Sequence, residues 1–245
     1  MALSTNSIIH YTNSINTLKL ILKEGFKLKY CDEVLKFNGG SSAAAHPMIC
    51  FCDIPLSKSS KHFESYGHFG IGLTKKWAVK NGINPVLYID KDSLIAKSIL
   101  ELIKERRDTT TNLTKEQKKL VLEIKSYAKN YSGNLRRNGE IIKDYRYYDE
   151  REWRLVPDKN ILGKNSFSIS SKSYKNSKEF YNNKLDSIRI KFNHSDISYI
   201  IVEKTEQIPL IIKDIKEFFS DKCSVNQLDI LLSKVCSAQQ IKEDY

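Results

Sequence analysis

Long apolar runs are missing from this sequence. No stretch approaches the roughly 18 consecutive apolar residues that a membrane-spanning helix needs, so no membrane association is expected. The opening residues, MALSTNSIIHYTNS, hold no basic segment followed by an apolar one. A secretory signal is therefore not expected, and a cytoplasmic location is. Cysteine is scarce and irregularly spaced, at Cys31, Cys50, Cys52, Cys223 and Cys236. An odd count of this kind argues against a disulfide framework and for a reducing compartment. Cys50 and Cys52 form a lone C-x-C with no second pair, and HExxH is missing, so no metal site is expected. GxxxxGK[ST] and GxGxxG are missing too, which removes the phosphate loop and the dinucleotide fingerprint.

What is there describes a globular chain of 245 residues with 40% hydrophobic and 28% charged content. The formal net charge of +11 points to a polyanionic partner: nucleic acid, an anionic cofactor or an acidic protein.

The pattern along the chain predicts one α+β domain over 1–245 with a helical insertion at 91–146. Ile8–Tyr11 reads as a strand. Asn13 or Ser14 caps a helix carrying Ile15, Leu18, Ile21 and Leu22, and Gly25 stops it. Residues 38–45, NGGSSAAA, read as a loop before an apolar strand at 47–52. A glycine-dense strand is expected from Tyr66 to Leu73. Thr74 caps a short helix. Leu94, Ile95, Ile99, Leu102 and Ile103 mark one helical stripe. Thr114 with Gln117 makes a capping box ahead of Leu120, Val121, Ile124, Tyr127, Ala128 and Tyr131. Strands return at Trp153–Val156, at 166–170, at Ser187–Phe192 and at Tyr199–Val202. Helices come next near 208–219 and 225–235, the second capped by Ser224, and the tail SAQQIKEDY reads as frayed. Strands at the flanks with helices in the middle and at the end indicate α+β, not a doubly wound sheet.

Three groups of residues invite a chemical reading. His10-Tyr11-Thr12 sits where a strand meets a helix and can face a ligand, or can satisfy backbone groups and a cap. Tyr66-Gly67-His68-Phe69-Gly70-Ile71-Gly72 places glycines along a strand, where they are tolerated if backbone or ligand approaches closely, or mark a bulge. In Tyr147–Arg154, YYDEREWR, Glu150 and Glu152 fall on one side of an extended segment. Two carboxylates there repel and can raise one pKa, or form an exposed charged edge paired with Arg151 and Arg154.

The segments HYTNSINTLKLILKEGFKLKY, MICFCDIPLS, YGHFGIGLTKKWAVKNGINPVLYI and EREWRLVP together resemble the AbiGi family of abortive phage infection proteins, which are tied to phage resistance and described as antitoxin-like. The HYT triplet, the helix ending in EG and the later CFCDIP also resemble the opening of DarT-like and PARP-like ADP-ribosyltransferases. That second resemblance implies an ADP-ribosyltransferase-like split mixed sheet with C-terminal helices, and NAD as cofactor. It implies His10, Tyr66 and Glu152 as catalytic residues, with Glu150 as the alternative carboxylate. His10, Tyr11, Thr12, Tyr66 and Phe69 would then hold the cofactor. Lys75, Lys76, Arg136 or Arg137 would meet the pyrophosphate or a nucleic-acid acceptor, and a protein acceptor is equally open. The AbiGi resemblance implies a second role: a non-catalytic component that binds the toxin product of an adjacent gene, or nucleic acid.

Overall fold

A computed structural model describes residues 5–137 and 139–244; the side chains of Arg136 and Arg137 lie outside the described residues. The architecture is mixed α+β, with several sheets and with helices near the C-terminus. Two compact units are present. One comprises Met1–Lys27, Cys50–Ile83 and Arg189–Tyr245, and the other Leu28–Ile49 and Asn84–Ile188.

The first unit is organised on the strand Ser7–Thr12. It pairs antiparallel with Phe69–Thr74 along its whole length, from Ser7 opposite Thr74 to Thr12 opposite Phe69. Ile9 pairs with Cys52 on the other edge. Beyond Phe69–Thr74 come Ile197–Val202, antiparallel, and then Val235–Ser237, parallel. The helix Ile15–Glu24 starts where the Ser14 side chain accepts the Thr17 N–H, and ends at Gly25 with φ 88°. Leu18, Ile21 and Leu22 form its buried face, while Ile211, Ile215 and Phe219 form that of the helix Ile208–Phe219. A Lys19–Asp214 ion pair at 2.9 Å links the two helices.

Two expectations change in this unit. Tyr66 closes the helix Ser60–Tyr66, and the strand begins only at Phe69. The glycines of that strand make room for aromatic rings. A Cβ on Gly72 would lie 2.9 Å from the Tyr199 ring, and one on Gly70 would lie 3.1 Å from that of Tyr11. The tail is helical as far as Asp244. The helix Ala238–Asp244 places Ala238 and Ile241 in a core with Ile9, Tyr11, Ile54, Phe63 and Ile201. Apolar residues three apart on one helix face gain enough from burial to hold a segment whose composition is otherwise polar.

In the second unit, residues 38–45 are not a loop. Lys29–Phe37 and Gly40–Cys52 form one long antiparallel hairpin, joined at Asn38-Gly39, where Gly39 has φ 88°. Asn-Gly is the pair that a two-residue hairpin turn favours, and pairing with Lys29–Phe37 overrides the weak strand propensity of Ser and Ala. Ala44 and Ala45 pair on their other side with Ser170 and Ile169. The helix Leu94–Arg107 buries Ala96, Ile99, Leu100 and Ile103 against Leu35 and Phe37 of the hairpin. Its buried face is therefore rotated from the expected stripe, and Leu94, Ile95 and Leu102 are exposed.

The helix Lys115–Tyr127 carries the expected capping box but stops before Ala128. Ala128–Asn130 is instead a strand, parallel to Leu87–Ile89, and the Asn130 side chain bonds both backbone groups of Lys36. Next along the chain is a hairpin of Gly133–Arg137 with Glu140–Tyr145. The stretch 91–146 is thus helical only as far as Tyr127, because strand pairing captures residues 128–130, 133–137 and 140–145.

Candidate functional site

The strand Glu152–Leu155, EWRL, alternates its side chains, so Glu152 and Arg154 share a face. The strand pairs antiparallel with Asn84–Pro85. Just before it, Arg151 adopts a left-handed backbone with φ 44°, which ends the 3-10 turn Tyr147–Glu150. Such a conformation costs an ordinary residue about 1–2 kcal/mol.

Lys129, from the strand Ala128–Asn130, bridges the two glutamates. Its Nζ lies 2.6 Å from Glu150 Oε2 and 2.8 Å from Glu152 Oε2. Arg154 closes the other side of Glu152, with Nε 2.7 Å from Oε1, and its Nη2 reaches Glu33 Oε2 at 3.2 Å. Arg154 Nη1 donates to the Ser126 carbonyl at 2.8 Å. The Tyr145 hydroxyl donates to Glu150 at 3.2 Å, and the Glu152 N–H donates to the Tyr88 hydroxyl at 2.8 Å. Arg154 is 0% exposed, Glu150 4% and Glu152 7%. Both carboxylate oxygens of Glu152 are therefore engaged by cations inside the protein.

Burial opposes ionisation of Glu152, but Arg154 and Lys129 outweigh it and hold the carboxyl well below its ordinary range. Burial likewise opposes the charge on Lys129, and Glu152, Glu150 and Glu33 more than restore it. The repulsion expected to raise a carboxylate pKa is thus relieved at Glu152 by the lysine between the pair. The segment is also not the exposed edge that its charge suggests: Arg154 is the pairing cation, and it is buried.

The same unit buries two further cations or potential cations. Lys125, in the last turn of the helix Lys115–Tyr127, is pushed down to about 8, first by burial and then by Arg107 and Arg106. His46 is pushed down to about 4 by burial, with Lys125 adding to the effect. Its Nδ1 lies 3.2 Å from the Phe167 carbonyl, which assigns the proton to that nitrogen, while the buried Nε2 has no hydrogen-bond partner among the described residues. Sequence reasoning singled out none of Lys129, Glu33, Tyr88, Lys125 and His46. The one visible signal was the alternating charge of EREWR.

The remaining candidates belong to the first unit. His10 Nδ1 lies 2.8 Å from the Cys50 carbonyl, and its ring meets Phe26 and Phe51 edge-on. The register puts Thr12 and Phe69 opposite each other and on the His10 face. Tyr11 points the other way. Its hydroxyl donates to Ser59 Oγ at 2.9 Å, burial pushes its pKa up, and its ring packs on His62 and Phe63 of the helix Ser60–Tyr66. Tyr66, half-exposed at the end of that helix, packs on His62 in a tilted arrangement with ring centroids 5.8 Å apart. Strand alternation therefore divides the HYT triplet, with His10 and Thr12 on one face and Tyr11 on the other. Lys75 is taken up by Asp53, at 2.7 Å. Among the described residues no group of three or more His, Cys, Asp or Glu is placed to hold a metal ion, and no helix is long and apolar enough to cross a membrane.

Comparison with known proteins supplies the relationship. No solved structure matches the chain significantly. The abortive phage resistance protein AbiGi of Lactococcus lactis subsp. cremoris is 29% identical over 226 residues, spanning 81% of this chain and 88% of that protein. A family profile described as "Putative abortive phage resistance protein AbiGi, antitoxin" matches residues 24–203, a span that includes the long hairpin, Lys129 and the whole acidic strand. The chain belongs to the AbiGi family of abortive phage resistance proteins.

Proposed function

We propose that this protein is the antitoxin-type component of a phage-resistance system and acts in the cytoplasm by binding a partner protein, the toxin product of an adjacent gene, without catalysis of its own. The observation that carries the reading is the state of Glu152. A transferase glutamate must be free to hold a ribose hydroxyl and to face the positive charge that develops as a glycosidic bond breaks. Here Arg154 and Lys129 occupy both oxygens. Releasing a buried carboxylate from such partners costs about 3–5 kcal/mol, which a bound substrate would have to supply. The family's description as an antitoxin supports the same conclusion. The formal charge of +11 favours a toxin with an acidic surface, because complementary charge speeds and orients docking.

The competing reading is an ADP-ribosyltransferase with NAD between His10, Tyr66 and Glu152. The two are separated by co-expressing the tagged protein with the neighbouring gene product and by incubating the purified protein with NAD and with DNA, RNA and protein acceptors. A stoichiometric complex that survives His10→Ala, with nicotinamide release no higher than in buffer, is expected. Nicotinamide release by the wild type that His10→Ala abolishes would overturn the proposal. So would capture of nucleic acid with no protein partner.

A further inference from the structure

A cleft of about 390 Å³ opens in the first unit. Its lining combines the apolar Leu22, Phe192 and Phe219 with the exposed Lys23, Lys191 and Lys222 and the polar run Asn193-His194-Ser195. Leu22 and Phe219 are buried and Phe192 is half-buried. The described lining contains no carboxylate, and among the described residues none of the three lysines is ion-paired. Two of the ammonium groups rest over aromatic rings instead, Lys23 Nζ at 5.7 Å from Phe218 and Lys222 Nζ at 5.5 Å from Phe219.

Gly25 sets this arrangement. A Cβ there would lie 2.5 Å from the Ile190 carbonyl oxygen and 3.2 Å from Lys191 Cδ. Only glycine lets the end of the helix Ile15–Glu24 close on Ile190–Lys191, which brings Lys23 and Lys191 to one cleft.

Three like charges around one cleft repel, and an anion that enters relieves the repulsion while gaining charge-assisted hydrogen bonds. The half-buried Phe192 adds a ring in the lining against which a planar group can rest. The volume lies within the roughly 300–1,000 Å³ typical of small-molecule sites. We infer that this cleft binds a mononucleotide, with its phosphate at the three lysines and its base against Phe192. The inference is independent of the antitoxin reading, since it uses none of the residues around Glu152.

The test is calorimetric titration of the full chain at physiological salt with AMP, adenosine, inorganic phosphate and an oligothymidylate. Saturable AMP binding is expected, with adenosine and phosphate each weaker by about tenfold or more, the effect of losing one charge-assisted contact or the base. The triple variant Lys23→Gln, Lys191→Gln, Lys222→Gln should lose AMP binding by a similar factor. The triple variant Lys164→Gln, Lys172→Gln, Lys178→Gln removes the same charge from exposed positions of the second unit and should bind as the wild type. Should the first triple fold poorly, Lys222→Glu alone gives the same reading. The proposal is overturned if AMP does not saturate, if both triples weaken it equally, if adenosine binds as tightly as AMP, or if only the oligothymidylate binds.

Discussion

Around Glu152, two cations and three carboxylates are paired at distances of 2.6–3.2 Å and largely removed from water. In the cleft beside Gly25, three lysines stand together with no carboxylate among the described lining residues. The same side chain does opposite work in the two regions. Lys129 is spent inside the protein, holding two glutamates that would otherwise repel; Lys23, Lys191 and Lys222 remain available to something from outside. The lesson is that the net charge of +11 does not say where charge is usable. Burial and pairing decide that, residue by residue.

The comparison breaks first at Arg154. Arg154→Met leaves Glu152 and Glu33 short of a buried cation and should cost about 3–5 kcal/mol of stability, read from the urea midpoint with the slope unchanged. Adding Glu152→Leu to that variant should recover part of the loss, because Lys129 and Glu150 still neutralise each other.

His46 gives the next largest effect. Its folded pKa is about 4, against 6.5 for the free group, so between these values the unfolded chain binds more protons than the folded one. Stability should therefore be complete above pH 6.5 and decline by up to about 3 kcal/mol as pH falls to 4. Unfolding free energies of wild type and His46→Gln across that range measure the difference.

Lys125 acts with the opposite consequence at neutral pH. Its folded pKa is about 8 against 10.5, so holding the ammonium charged at pH 7 works against folding, and the deficit shrinks as pH rises from 8 to 10.5. Lys125→Met should raise stability at pH 7 by about 1–3 kcal/mol and the gain should fade in alkali. The smallest effect belongs to the cleft. Each glutamine at Lys23, Lys191 or Lys222 should change the unfolding free energy by less than about 0.5 kcal/mol, whatever it does to ligand binding.

Local signals in the sequence carried the helices well. Ser14, Thr74, Thr114 with Gln117, and Ser224 cap the helices they were expected to cap. Their information lies within one helical turn. The strand expected at 47–52 is present, but its first half at 40–45 was hidden because Ser and Ala carry little strand preference; the Asn38-Gly39 turn that joins it to Lys29–Phe37 was the local signal. The glycines at 70 and 72 suggested a ligand, yet the rings they accommodate are Tyr11 and Tyr199, distant in sequence. The acidic pair was visible, but its neutralising partner was not: Lys129 is 23 residues upstream of Glu152 and carries no motif. Charge pairing of this kind is a property of the fold, and one sequence contains only half of each pair at a time.

Equilibrium urea unfolding of Glu152→Gln bears most directly on the role of the acidic strand. If this glutamate is a buried structural anion, neutralising it leaves Arg154 with Glu33 as its one carboxylate among these groups and lowers stability by about 3 kcal/mol. A variant as stable as the wild type that has nonetheless lost phage resistance would contradict that role and return Glu152 to the chemistry of a bound substrate.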